Sequence, residues 1–176
     1  MKEKIRVLFP EIEWIESKEL QDKVLQVWEA AIEQGGWTVE DLEKIPFTLL
    51  IENTSINLLL HTRSVTQTAY KAAQTIQQNY SDLVTINFDE LVAGGLLHDV
   101  GKLLEYTQKD GKIVKSQAGK GIRHPFSGMA LAYHFGLSEA VQHMIAAHAG
   151  EGAKVQRTPE AFLIHHADFM NFEMFR

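Results

Sequence analysis

Apolar residues recur at intervals of three and four positions along most of the chain, which is the spacing that brings side chains onto one face of an α-helix. The clearest stretch is 18–33, which the glycine pair at 35–36 brings to an end. Its apolar residues lie on one helical face and are Leu20, Val24, Val27, Trp28, Ala31 and Ile32. This pattern predicts the first long helix.

Later segments carry the same periodicity, and several of them start at residues that are typical of a helix terminus. A short helix is predicted from Thr38 to Lys44, where Pro46 closes it. The segment 49–60 is predicted to be a loop that leads into the next helix. The other predicted helices cover 61–79, 88–106 with a bend near Gly101, 125–133, 140–148 and 159–175.

Strand-type alternation is scarce in this sequence. The polar segment 107–121 contains the turn residues Lys109-Asp110-Gly111-Lys112, and it is predicted to form a loop or a short hairpin. Helical periodicity in nearly all other segments predicts an all-α bundle.

Composition narrows the class of protein. A chain of 176 residues with 45% hydrophobic and 23% charged residues is typical of one soluble globular domain. No apolar run approaches the roughly 20 residues that span a bilayer, and the N-terminus lacks the apolar core of an export signal. We therefore expect a cytoplasmic protein without membrane contact. The net charge of −6 disfavours binding to a nucleic-acid backbone.

The absence of cysteine excludes disulfides, thiolate metal sites and cysteine nucleophiles. Any metal would be bound by histidine, aspartate or glutamate. His98 and Asp99 lie inside the apolar stretch AGGLLHDVGKLLEY, where an unpaired buried carboxylate would be costly and a cation would remove that cost. One histidine on an apolar face is more often structural than ligating, so a metal site can be inferred only from the wider pattern of histidines and aspartates along the chain.

That wider pattern resembles the HD-domain superfamily of metal-dependent phosphohydrolases, and within it the HDIG-like subgroup. The matching residues occur in the family's order and are His61, the run Leu96 to Lys102, His124-Pro125 with Gly128, His148 and Ala167-Asp168. The resemblance covers about 57–172 and implies the HD-type helical bundle. Residues 1–50 would then be an N-terminal helical extension within a single domain, 1–176.

The resemblance implies that His61, His98, Asp99 and Asp168 hold one divalent ion. His124 and His148 match the positions that hold a second ion in binuclear members of the family, with Asp99 as the bridge. Many members have a further histidine where this chain has Ala149, so either the second position is incomplete or it leaves one coordination site open to water. One or two ions of Mn, Fe, Zn, Ni, Co or Mg are the expected cofactors.

The implied reaction is hydrolysis of a phosphomonoester or phosphodiester by a metal-activated water. Asp99 would position the nucleophile, Lys102 would neutralise charge on the phosphoryl group, and His124 or His165 would protonate the leaving group. Lys102, Arg63 and His165 are the predicted substrate contacts, because Lys102 lies one helical turn beyond Asp99 and Arg63 lies close to the first histidine of the motif.

The segment 157–168 is also similar to the end of the HD domain in a bacterial 3′–5′ exoribonuclease, for whose OB domain this sequence has no room. A small phosphorylated molecule, such as a nucleotide, is therefore favoured over a nucleic-acid end. One alternative is an HD-fold mixed-valent di-iron oxygenase, to which the single histidines at 124 and 148 are suited. The other is a nucleotide-binding HD module without activity. A monomer and a homodimer are both compatible with the sequence.

Overall fold

The computed structural model describes residues 1–176 as a helical bundle, and the prediction of an all-α fold is confirmed. The helices are α1 (Lys2–Leu8), α2 (Lys18–Gly35), α3 (Leu58–Tyr80), α4 (Phe88–Leu97), α5 (Lys102–Glu105), α6 (His124–His134), α7 (Glu139–Ala147) and α8 (Pro159–Glu173). Short 3₁₀ turns cover Pro10–Trp14, Val39–Glu43, Ala118–Lys120 and Gly150–Lys154. The two strands β1 (Tyr106–Lys109) and β2 (Lys112–Lys115) pair as an antiparallel hairpin.

Side-chain caps explain where the long helices begin. Ser17, Asn57, Ser138 and Thr158 each accept a hydrogen bond from the backbone N–H three residues later, which satisfies a donor that the helix itself leaves free. At the other end of α2, Gly36 has a φ of 72°, a conformation that glycine adopts without a steric penalty. The predicted helices at these places agree with α2, α3, α7 and α8 to within a few residues.

The prediction of one continuous helix over 88–106 is wrong at residues 98–101, where a turn separates α4 from α5 close to the bend predicted near Gly101. After α4 ends, the backbone N–H groups of Val100, Lys102, Leu103 and Leu104 each bond to the carbonyl three residues earlier, instead of four. Hydrogen bonds of the tighter 3₁₀ type therefore connect the end of α4 to the single turn of α5. From Tyr106 onward the chain becomes the hairpin, which the sequence had predicted as one of two possibilities for the following segment.

The close approach of α6 explains this tightening. A Cβ atom on Gly101 would lie 2.1 Å from the carbonyl oxygen of His124 and 2.7 Å from the backbone nitrogen of Gly128. Only glycine allows the two backbones to lie so close together. The contact brings the first turn of α6 next to the residues that follow α4.

Helix α4 lies at the centre of the bundle, where it packs against α2, α3, α7 and α8. Every residue from Leu91 to Leu103 is buried. The N-terminal segment contributes Ile5, Phe9 and Trp28 to the same hydrophobic cluster as α4. The side chains of Phe9 and Trp28 stack with ring centroids 4.7 Å apart, so the N-terminal segment closes one side of the core.

No helix in the structure combines the length and apolar character that a membrane crossing requires.

Candidate metal centre

Titratable residues that are far apart in the sequence converge at one place in the bundle. They come from α3, the turn after α4, the first turn of α6, the end of α7 and α8, and they are His61, His98, Asp99, His124, His148 and Asp168. Two groups share Asp99: four residues with His61, His98 and Asp168, and three with His124 and His148. In each group the possible ligand atoms lie within 4.8 Å of one another. The structure thus brings together every residue that was predicted as a metal ligand.

The two carboxylate oxygens of Asp99 face different histidines. Its Oδ2 lies 3.3 Å from Nε2 of His61 and 3.4 Å from Nε2 of His98. Its Oδ1 lies 3.2 Å from Nε2 of His124 and 3.6 Å from Nε2 of His148. Because the side chain is buried, these contacts are shielded from water. Asp99 therefore has the geometry of a carboxylate that connects two ligand groups.

Backbone carbonyls fix the orientation of two of these rings. Nδ1 of His98 lies 2.6 Å from the carbonyl oxygen of Gly95, and Nδ1 of His148 lies 2.7 Å from that of Ile145. A carbonyl can only accept, so Nδ1 carries the proton and donates it in both cases. The lone pair of Nε2 is then directed at the centre. Histidines that ligate metals are commonly held in this way.

The donor set fits a divalent ion. Nε2 of His98 is buried without a hydrogen-bond partner. An unpaired buried acceptor costs free energy, and a cation at this position would remove the cost. Imidazole nitrogens and carboxylate oxygens together are suited to ions such as Mn²⁺, Fe²⁺, Co²⁺, Ni²⁺ or Zn²⁺.

Both aspartates of the larger group are held in the ionised form. Burial would raise the pKa of Asp168, but the hydrogen bond from His61, with Nε2 and Oδ1 3.0 Å apart, acts together with the nearby His98 and His148 to lower the pKa to about 2. Burial likewise opposes the ionisation of Asp99, while Lys102 and His98 lower its pKa well below the usual range. Burial would lower the pKa of His61, yet the two carboxylates raise it. The site has a strong preference for positive charge.

Lys102 is buried within this centre. Its Nζ lies 2.5 Å from Oδ2 of Asp99 and also donates to the carbonyl oxygen of Phe47. Burial would lower the pKa of Lys102, but the charge and hydrogen bond of Asp99, together with the charge of Asp168 and the nearby Tyr106, raise it. Lys102, which was predicted to lie one turn beyond Asp99, is therefore a cation that faces this carboxylate. It also holds the loop that carries Phe47 through a hydrogen bond.

An open pocket leads to the centre. Its walls include Lys102 and the ligand-type residues His61, Asp99, His124 and Asp168. Around them, the other lining residues are Phe47, Thr48, Leu49, Leu50, Glu105, Tyr106, Lys115, Arg123, Ala149, Gly150, Phe169 and Phe172. A small molecule that enters this pocket would meet the carboxylates, the histidines and Lys102 together.

Glu105, which was not among the predicted site residues, is buried beside His124. Its Oε2 lies 2.7 Å from both the backbone nitrogen and Nδ1 of His124, while Oε1 lies 3.2 Å from Nζ of Lys115 and 3.9 Å from Nη1 of Arg123. Burial opposes its ionisation, but the bonds from His124 and Lys115 lower its pKa to about 2. The only sequence feature that could have revealed Glu105 is its position as a single acidic residue near the end of an apolar stretch.

Burial has the larger effect on His124 itself. It lowers the pKa of this imidazole to about 4, although Glu105 and Asp99 act in the opposite direction. The ring is therefore neutral at pH 7, with its proton on Nδ1 and committed to Glu105. A lone pair on Nε2 suits a metal ligand. It does not suit the predicted alternative, a general acid, since Nε2 has no proton to give.

Two predicted substrate contacts do not reach the pocket. Nε of Arg63 lies 3.0 Å from Oε1 and 3.2 Å from Oε2 of Glu11, a buried acid of the N-terminal segment, so this guanidinium is used to dock that segment onto α3. Nδ1 of His165 donates to the carbonyl oxygen of His148 at 2.6 Å, and its ring packs against Phe169. Arg63 and His165 thus have structural partners, and neither lines the pocket.

Residues 58–170 match the sequence profile described as the HD domain. Over 112 residues the chain is 30% identical to the dihydroneopterin 2′,3′-cyclic phosphate phosphodiesterase of Methanocaldococcus jannaschii. That match covers 63% of this chain and 44% of the relative, so the chain matches less than half of the relative's length. No solved structure shows significant similarity to the chain.

Proposed function

This chain belongs to the HD domain family, and from that premise we propose that it is a metal-dependent phosphohydrolase that acts on a small phosphoester of nucleotide type. We propose His61, His98, Asp99 and Asp168 as the ligands of a first divalent ion. His124 and His148, together with Asp99, are the proposed ligands of a second ion.

The division of the Asp99 oxygens between two pairs of histidines carries this proposal. Oδ2 faces His61 and His98 while Oδ1 faces His124 and His148, at N–O distances between 3.2 and 3.6 Å. A carboxylate that served one ion alone would not need two buried imidazoles on its other oxygen. Two ions bridged by a carboxylate are an arrangement used by phosphoester hydrolases.

Bound divalent ions would supply Lewis acidity, which lowers the pKa of a coordinated water from about 15.7 toward 7 and stabilises negative charge on a phosphoryl group. The residues of the chain do the remaining work. Asp99 and Asp168 stay ionised at neutral pH because their histidine and lysine neighbours hold their pKa values down. Lys102 keeps a positive charge inside the pocket, where an anionic substrate would otherwise meet carboxylates.

Glu105 and its cations support recognition of an anion at the same place. Lys115 and Arg123 both line the pocket and both approach Oε1 of Glu105. We propose that these two side chains, with Lys102, contact phosphoryl oxygens, in place of the Arg63 that the sequence suggested. Arginine and lysine are well suited to this because their N–H groups form charge-assisted hydrogen bonds.

The relative from M. jannaschii, named as a phosphodiesterase of a cyclic phosphate, favours a phosphodiester over a phosphomonoester as the substrate. Since the match covers 44% of that protein, the identity of its substrate is not carried over. We propose the coarser class, a small phosphodiester attached to a nucleoside or a similar group.

Metal reconstitution tests the proposal. Protein freed of metal by a chelator is resupplied with Mn²⁺, Fe²⁺, Co²⁺, Ni²⁺, Zn²⁺ or Mg²⁺, and hydrolysis of a cyclic phosphodiester and of a phosphomonoester is followed. We expect turnover with at least one ion, faster for the diester, and its loss in Asp99→Asn. Lys23→Gln, a surface change on α2, should leave the rate unchanged. If no ion gives turnover and iron produces a di-iron EPR signal, the oxygenase alternative replaces this proposal.

A further inference from the structure

Beside its charged residues, the pocket has a side made of large apolar side chains. We name it the apolar wall and define it as Leu49, Leu50, Phe169 and Phe172, with Phe47 behind them. Two separate elements build it. The leucines belong to the loop before α3, and the phenylalanines lie one turn apart on α8. The apolar wall, which lies beside the candidate metal centre, therefore depends on the packing of two elements and not on one helix.

The wall is open to solvent although it consists of apolar groups. Leu50 is 78% exposed, and Phe169 and Phe172 are each half-buried. Exposed apolar surface that borders a polar pocket is typical of a place where a ligand lies. The cationic side chains nearby do not cover the apolar wall, because each is bound elsewhere. Lys115 pairs with Glu105, Arg123 pairs with Glu151, and Lys102 donates to Asp99 and to the carbonyl oxygen of Phe47.

Aromatic contacts hold the wall in place. The rings of Phe172 and Phe47 meet edge to face with centroids 6.1 Å apart, and Phe47 packs on the ligand-type residue His61 at 4.6 Å. The ring of Phe169 packs on His165 at 4.5 Å. Because these rings are already supported on one side, binding would cost little additional ordering of the wall.

The position of the wall relates it to the reacting group. Asp168, a proposed metal ligand, directly precedes Phe169 and lies one helical turn before Phe172. The remaining part of a substrate whose phosphate is bound at the metal centre would therefore lie within reach of these rings. A sugar alone offers hydroxyl groups, which would lose hydrogen bonds to water here without replacement. A planar heterocycle offers a flat face that stacks on phenylalanine and polar edges that stay in water.

We infer that the apolar wall binds a planar heterocyclic base carried by the phosphoester substrate, with Phe172 and Phe169 as its stacking partners. The inference rests on the proposed function, since it assigns the part of the substrate that does not react. It makes the heterocycle, and not the sugar, the recognised group of the nucleoside-type ester proposed above. It also makes Phe169 and Phe172 residues that determine specificity.

Equilibrium binding tests the inference without relying on turnover. Two phosphonate isosteres that resist hydrolysis are titrated calorimetrically into metal-loaded protein, one of adenosine 5′-monophosphate and one of ribose 5-phosphate. The second ligand carries a hydroxyl group at the position where the first carries the base. For the wild type we expect about tenfold tighter binding of the ligand with the base, the size of one stacking contact. In Phe172→Ala and Phe169→Ala this preference should fall to about twofold or less.

Two further variants make the comparison strict. Phe162→Ala removes an exposed phenylalanine of α8 that does not line the pocket. This variant should keep the full preference for the ligand with the base. Leu50→Ala changes an exposed loop residue whose loss cannot disturb the core, so it tests the wall even if the phenylalanine variants fold poorly. A reduced preference in Leu50→Ala supports the inference.

The outcomes separate this inference from the proposed function. Equal affinity of the wild type for both isosteres overturns the inference, and so does an equal loss of affinity for both in Phe172→Ala. Ester hydrolysis without a preference for the base would retain the phosphohydrolase and remove the base site. A preference that depends on Phe172 in a protein that hydrolyses no ester would retain the base site and remove the phosphohydrolase.

Discussion

Oε2 of Glu105 lies 2.7 Å from both the backbone nitrogen and the Nδ1 of His124, so a single buried oxygen fixes both the start of α6 and the orientation of the ring. The bonds account for two facts at once. They satisfy a backbone donor at a helix N-terminus, and they commit the proton of His124 to Nδ1. His124 is thereby aimed at Asp99 by a residue that does not itself touch Asp99.

Replacing this carboxylate should weaken the second proposed ion site. In Glu105→Gln the charge is lost and the amide cannot accept both hydrogen bonds as well as the carboxylate does. We expect a 10- to 100-fold (order-of-magnitude) lower affinity for one of two ions, the size typical of lost partners of metal-binding histidines. Competition with a metal-sensitive dye gives the affinities. Glu151→Gln, which changes another acid bonded to Arg123, should bind both ions as the wild type does.

The tight contact between Gly101 and α6 makes a second prediction. In Gly101→Ala the new methyl group would overlap the carbonyl oxygen of His124, so α6 has to move away from the centre. We expect a loss of roughly 3 kcal/mol or more of stability, comparable with severe overpacking, together with weaker metal binding. Urea unfolding measures the change. In Gly150→Ala the new methyl group would lie in open space, so the free energy of unfolding should stay within about 0.5 kcal/mol of the wild type.

The neutral state of His124 predicts how the metal-free protein responds to acid. Its pKa is about 4 in the folded state and about 6.5 in the unfolded state, so only the unfolded chain takes up this proton between those values. Stability should therefore fall as the pH is lowered from about 6.5 to 4, by roughly 3 kcal/mol from this residue.

His61 acts in the opposite direction, because its folded pKa is raised and its contribution is lost only as the pH increases. The effect of His124 is isolated by urea unfolding of the wild type and of His124→Asn at pH 7.5 and 4.5, after removal of metal. The stability lost on acidification should be smaller in the variant. An equal loss in both proteins would contradict the neutral buried imidazole.

The pair formed by Arg63 and Glu11 yields a fourth prediction. Arg63→Ala leaves the buried Glu11 carboxylate without its main cation, which should cost about 2 kcal/mol, since Arg63 is partly exposed and the full cost of a broken buried pair is about 3–5 kcal/mol. Hydrolysis per folded molecule should not change. The double variant Glu11→Leu with Arg63→Ala should regain stability, measured by urea unfolding. A selective rise in KM in Arg63→Ala would restore the original substrate role.

The helices were predictable because their causes are local. Ser17, Ser138 and Thr158 cap helices through bonds that reach three residues along the chain, and apolar periodicity marks the faces that are buried. A bend near Gly101 was predicted, but apolar periodicity did not indicate that the helix breaks after α4. The break depends on Gly101 meeting a helix that begins more than twenty residues later, and no periodicity within 88–106 records that contact.

The all-α fold and most helix boundaries were predictable from the amino-acid sequence, and the order and spacing of the candidate ligands were enough to relate them to the HD domain. The contacts of these residues depend on how the helices pack. Packing paired Arg63 with Glu11, 52 positions away, gave His124 a partner in Glu105, and brought the loop residues Leu49 and Leu50 to the same pocket as Phe169 and Phe172. Ion pairs and pocket walls form between residues that are distant in sequence, so their partners are fixed by packing and not by any local pattern.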